Sequence, residues 1–249
     1  TDHLHPEYLS RIDTDHNWDH VMDHYLSGYH ASKARGDEVG LDVILGAELR
    51  FPENDNDYLV YGIDEQWLRS NPYMCCMSAQ EFYDKFHDQV LIIHAHPFRK
   101  GSAPVQETAV HGAEIINGNP RHENNNDKAL ELCLRHPEYY RLAGSDTHRD
   151  KDEARAGVIL PERVKDSYAY KAIIESGRFH LWSPEFQSFV DADEKIREVM
   201  NEITFAFNDV NPTQQALMNY FEKTQKWQTT DLIPFSSASV MTWRTSSLS

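Results

Sequence analysis

The chain has 249 residues, enough for one large domain or for one domain with an appendage. Its 40% hydrophobic content can fill a core, and no apolar run approaches the roughly 20 residues that span a bilayer. With 24 Lys and Arg against 40 Asp and Glu, the net charge of −16 repels polyanions, which argues against nonspecific coating of DNA or RNA.

Thr1 to Pro6 reads as the tail of a strand running into a loop. Over residues 16–35, Trp18, Val21, Met22, Tyr25, Leu26 and Tyr29 repeat at the spacing of one buried helical stripe. His16, His20 and His24 lie four apart on a neighbouring face, read as solvated. Asp42 to Leu49 is a β-branched run with Glu48 near its tip, and Tyr58 to Ile63 makes a further strand. Ser78 and Glu81 form a capping box that opens a helix through about Phe86 or His87. Val90 to Ile93 then reads as a strand covered on both faces. It ends in His94 and His96, which share a face if the backbone stays extended, and Pro97 stops it. Gly112 to Asn117 is another strand, followed by a helix carrying Ala129, Leu130, Leu132, Cys133 and Leu134. Tyr140 to Asp146 is a strand, and Gly157 to Leu160 is short and apolar. Pro161 opens a helix that Gly177 stops, and Arg178 to Trp182 is a last strand. From about Asp191 the character changes. Residues 193–207 and 212–226 read as amphipathic helices before a Ser/Thr-rich end. The expected organisation is therefore a domain over 1–190 and a helical extension over 191–249.

Alternating strands and helices predict an α/β fold with parallel strands. In a closed barrel the finishing ends of such strands gather on one face; an open doubly wound sheet fits the alternation as well. Those ends carry Asp2, His3, Glu48, His94, His96, Asn117, Asp146 and His148. Imidazole and carboxylate together suit zinc, manganese or iron. Cys75, Cys76 and Cys133 form neither a disulfide framework nor a zinc spacing, and no secretory signal is visible, so free thiols in a reducing cytoplasm are expected.

Four motifs in order carry a family resemblance: Thr1-Asp2-His3, Gly46-Ala47-Glu48, Ala95-His96-Pro97 and Gly144-Ser145-Asp146-Thr147-His148. Over about residues 1–182 the sequence resembles the PHP family, named for polymerase and histidinol phosphatase. Glu114 to Gly118 also looks like a segment found between the last two motifs. The resemblance implies a distorted (β/α)7 barrel with two or three divalent ions. By position it makes His3, Glu48, His96, Asp146 and His148 metal ligands, Glu48 a bridge between ions, and Asp2 an orienting partner. Two departures stand out. The family's opening His-x-His belongs before Thr1, so the barrel is expected to miss its first strand, most simply because the chain is a fragment. Many relatives also place a His eleven residues after the glutamate, where this chain has Leu59.

The chemistry this implies is hydrolysis of a phosphate ester by a metal-activated water held among Glu48, His96 and Asp146. Arg99 and Arg121 are candidate phosphate contacts. His94 or His122 is a candidate acid for the leaving alkoxide. The acidic balance favours a small phosphorylated metabolite over nucleic acid, and no membrane partner is expected. The alternatives are a metal-binding PHP module without catalysis and, less favoured, a metal-dependent exonuclease, which would need a basic groove at the strand ends.

Overall fold

The computed structural model describes residues 1–153 and 155–183. The helices expected over 193–207 and 212–226, and the whole extension over 191–249, lie outside the described residues.

Strand β1 (Asp2–Leu4) passes at once into α1 (Pro6–Ile12), a short helix where a loop was expected. Pro6 sits in its first turn, where the missing N–H has no partner to lose. Helix α2 (Trp18–Val39) begins where the Asn17 side chain accepts the His20 N–H at 3.3 Å. It ends at Gly40, whose φ of 77° is the left-handed turn that favours glycine. Its buried face holds Trp18, Val21, Met22, Tyr25 and Leu26, as the periodicity predicts. Then follow β2 (Ala47–Arg50), β3 (Asp57–Tyr61), α3 (Glu65–Ser70) and α4 (Ala79–Phe86). The reciprocal Ser78–Glu81 capping box is formed at the head of α4. The remaining elements are β4 (Leu91–His94), β5 (Gly112–Asn117), α5 (Asn126–Arg135), β6 (Tyr140–Gly144), β7 (Gly157–Ile159), α6 (Ser167–Glu175) and β8 (His180–Trp182). The expected helix start at Pro161 moves to Ser167. The Asp166 side chain caps there, accepting the Ala169 N–H at 2.8 Å, while Arg163 is held outside the helix by Asp42 and the Gly40 carbonyl.

β1 to β6 form one sheet in sequence order, giving a mixed α/β fold with a mainly parallel sheet. The expectation of uniformly parallel strands fails at β3, which runs antiparallel to both β2 and β4. The physical reason is the short connection over 51–56, since a parallel return needs a crossover of a dozen or more residues. β7 and β8 pair separately and antiparallel. The result places the C-terminal ends of β1, β2, β4, β5 and β6 at one edge of the sheet, together with the N-terminal end of β3. Every residue of β4 and of β5 is buried, as the continuous apolar runs require.

His111 secures the entry to β5. Its N–H donates to the Ile92 carbonyl at 2.8 Å, and its Nδ1 accepts the Ile92 N–H at 3.0 Å. Burial holds the His111 pKa below 6.5; Glu175 opposes that shift, while His87 and Lys171 add to it. The folded state therefore keeps this ring neutral where the unfolded chain binds a proton, and stability falls as pH drops below about 6.5. Urea unfolding at pH 7 and pH 5 should show His111→Asn losing less stability between the two than the wild type; an equal loss removes His111 from the pH dependence.

Candidate metal centre

A cavity of about 470 Å³ opens at the edge where the strand ends gather. His3, Glu48, His96, Asp146 and His148 all line it, so the five sequence-read ligands are brought together. His3 on β1 stands beside Glu48 on β2 in register, and Glu48 stands opposite Leu59 on β3. Thr1 Oγ1 donates to Glu48 Oε2 at 3.0 Å. His96 and Asp146 lie just beyond their strands with φ of 34° and 48°. A non-glycine residue in that region costs about 1–2 kcal/mol, so the surroundings must hold it there. The His96 N–H is fixed by Glu114 Oε2 at 3.0 Å, and the Asp146 carbonyl by Asn119 Nδ2 at 3.1 Å.

The centre of the cluster is a residue the sequence reading passed over. Asp57 Oδ2 lies 3.7 Å from His96 Nε2, and Asp57 Oδ1 lies 3.5 Å from His3 Nδ1. His96 Nε2 is also 3.7 Å from Glu48 Oε1. These are ion-pair separations, too long for hydrogen bonds. One donor atom from each of His3, Glu48 and Asp57 lies within 4.8 Å of the other two, an arrangement that could hold a metal ion. The donor set fits a divalent ion, with one imidazole and two carboxylates. Buried ring nitrogens without a hydrogen-bond partner, His3 Nδ1 and His96 Nδ1, accompany it. Arg50 grips Asp57 with a two-pronged fork, Nε to Oδ1 at 2.9 Å and Nη2 to Oδ2 at 3.0 Å. Burial pushes the Asp57 pKa up, but His3 and Arg50 outweigh it and hold the carboxyl at about 2. Asp57 in turn raises the His3 pKa against the effect of burial.

Asp57 begins its strand, whereas the other polar residues of the rim stand where strands finish. The available signal was spacing. Asp57 lies two residues before Leu59, so both side chains take the face that Glu48 shares.

Glu114 lies beneath His96. Besides the His96 N–H, its Oε2 accepts Asn117 Nδ2 at 3.1 Å, and burial chiefly raises its pKa. An irregularity in β5 between Glu114 and Ile116 shifts the pairing there. Asn117 also lines the cavity. With Asn124 it holds Arg99, whose Nε donates to Asn124 Oδ1 at 3.0 Å and whose Nη2 donates to Asn117 Oδ1 at 3.3 Å. The same Nη2 pairs with Asp146 Oδ2. Burial raises the Asp146 pKa, but Arg99 and Asn119 reverse that and hold it low. His148 is half-exposed at the rim, its Nδ1 3.3 Å from Asp146 Oδ1.

Four sequence-read residues stand apart from the cavity lining: Arg99, which reaches it only through Asp146, and His94, Arg121 and His122. His94 pairs in register with Tyr58 and stacks on it, ring centroids 5.0 Å apart. Tyr58 faces away from Asp57 and Leu59, so His94 lies on the opposite face from His96. The expected same-face pair fails because β4 ends at His94 and the left-handed turn at His96 breaks the alternation. Burial, aided by His96, lowers the His94 pKa to about 3. Arg121 is spent on structure, its Nη2 3.0 Å from the buried Asp152 Oδ2 and its Nε donating to Asn119 Oδ1. Asp152 also accepts the His148 and Arg149 N–H groups, so this pair ties down the loop carrying His148. His122 is exposed and outside the lining. The row His16, His20 and His24 is exposed, as expected, and among the described residues the metal-competent group is the one at Asp57.

No protein-family model matches the chain, and no curated protein matches it.

Gly144 tests how firmly Glu114 is set. A Cβ at Gly144 would overlap Glu114 Oε1, so the carboxylate that holds the His96 N–H through Oε2 would have to shift. Gly144→Ala should cost about 1–3 kcal/mol in denaturant unfolding, and less in a Glu114→Ala background. Equal losses in both backgrounds would show that Glu114 is free to move.

Proposed function

We propose that the chain is a divalent-metal-dependent phosphoesterase of the PHP type, acting on a small phosphorylated metabolite, and that its sheet belongs to a distorted (β/α)7 barrel. The observation that carries this reading is the convergence of His3, Glu48, His96, Asp146 and His148 on one cavity, with Asp57 within ion-pair distance of His3 and His96. His3, Glu48 and Asp57 would hold one ion, and His96, Asp146 and His148 offer donors for another. Bound there, zinc, manganese or iron supplies Lewis acidity and a nucleophile near neutral pH.

The protein's own groups do the rest. Arg50 keeps Asp57 ionised and aimed, so this carboxylate is ready without rearrangement. Glu114 keeps the His96 backbone in its left-handed turn. Arg99 spends Nε and one Nη2 bond on asparagines and a second Nη2 bond on Asp146, which leaves its Nη1 donors for a phosphoryl oxygen. The general-acid role falls to neither His94, which is buried against Tyr58 on the opposite face, nor His122, which is exposed outside the cavity. A small substrate suits the net charge of −16 better than a nucleic-acid end does. Among the described residues no helix is long and apolar enough to cross a membrane. Free Cys75, Cys76 and Cys133 agree with a cytoplasmic setting.

Metal analysis of the purified protein and a phosphatase screen with added manganese or zinc test this reading. Protein that binds no divalent metal and releases no phosphate from any ester overturns it. His96→Ala should abolish turnover, whereas His94→Phe should keep it, because the ring at 94 only stacks on Tyr58. Equal loss in the two variants would return His94 to the chemistry. Asp57→Asn should weaken divalent binding about tenfold or more by equilibrium titration; unchanged affinity would remove Asp57 from the site.

A further inference from the structure

A second concavity, also about 470 Å³, lies beside the candidate centre and shares only Arg99 with the chemistry above. Arg99, Lys100 and Lys128 line it against a single carboxylate, Glu123. In a chain of net charge −16, a concave surface with three cations is a local reversal of sign, and such a surface concentrates anions. Lys100 and Glu123 stand 3.5 Å apart at an exposed position, where mutual attraction is weak. The excess positive charge therefore remains available to a ligand.

The wall is built rather than loose. Asn56, buried in the turn between β2 and β3, accepts the Ala103 N–H at 3.0 Å and donates to the Pro104 carbonyl at 3.2 Å. On the other side the Lys100 N–H donates to the Glu123 carbonyl at 2.9 Å, and Asn125 Nδ2 to the Phe98 carbonyl at 2.9 Å. The loop is thus pinned at both flanks and the concavity is preformed. Arg99 joins the two spaces. It lines this one, and its Nη2 pairs with Asp146 in the candidate centre.

We infer that this concavity is a subsite for a second anionic group on the same substrate. Preferred substrates are then organic phosphates bearing a further phosphate or carboxylate at the far end. One phosphate sits at the candidate centre, and the second anion is held by Lys100 and Lys128, with Arg99 between them. This rests on the phosphoesterase reading.

The test compares alkanediol bisphosphates and ω-phosphorylated carboxylates with the monophosphates of the same carbon chains, using the full chain with added manganese. At the best chain length the dianionic substrates should exceed the monophosphate at least tenfold in kcat/KM, through KM. Lys100→Gln with Lys128→Gln should collapse that ratio, for the bisphosphate toward the statistical factor of two. Both lysines are exposed, so the fold does not depend on them. A wild-type ratio near two, or one that the double variant leaves intact, overturns the subsite while leaving the phosphoesterase reading in place. If no ester is hydrolysed, that reading fails first, and calorimetry with inorganic tripolyphosphate in the presence of EDTA decides the subsite. Saturable binding that weakens tenfold in the double variant supports it; no binding, or equal binding in both proteins, overturns it.

Discussion

The rim depends on one buried carboxylate. Asp57 is almost out of water, and an ion there is tolerated only if charge and hydrogen bonds surround it. Arg50 takes both its oxygens, and His3 and His96 approach from β1 and from the turn after β4. Three separate stretches of chain are therefore held at fixed distance by one side chain. The tight return from β2 into β3 makes this possible, since only an antiparallel β3 brings its first residue to the edge where the other strands finish.

The same logic of support extends along the rim. His96 and Asp146 sit in backbone conformations that side chains resist, and each is held by a polar group from the β5 region. Glu114 reaches up from the strand, and Asn119 reaches across from the segment after it. Strain at a site persists only where surrounding structure over-determines it, and here the determining groups are themselves buried and bonded. The asparagine-rich stretch from Asn117 to Asn126, with no charged residue in its bonds to Arg99, provides that rigidity without adding to an already acidic edge.

Much of this was legible in the sequence, for a definite reason. Polar residues that end apolar strands repeat at recognisable offsets, and parallel strands bring their ends together, so His3, Glu48, His96, Asp146 and His148 arrived on one cavity. Strand direction leaves no such mark. The run from Tyr58 reads alike in either direction, which hid both the antiparallel β3 and the role of Asp57 at its start. His94 misled because same-face spacing assumes an extended backbone, and the left-handed turn at His96 ends that assumption. Helix α6 starts later than proline placement predicts, because a side-chain cap at Asp166 competes with Pro161 as an opening signal.

The arginines show where residue type alone stops being informative. Arg50, Arg99 and Arg121 all sit near the rim, yet their surroundings divide their duties. Arg50 and Arg121 each face a carboxylate that is nearly fully buried, Asp57 and Asp152, so their charge is consumed in keeping those ions stable. Arg99 is gripped mainly by neutral amides, and its one carboxylate, Asp146, is itself a cavity-lining group. An amide orients a guanidinium without neutralising it. A cation meant for an incoming anion should be fixed in that way, and a cation meant for internal balance should not. On this criterion Arg99 alone of the three is arranged to meet a substrate, and the neighbouring concavity begins at the same side chain.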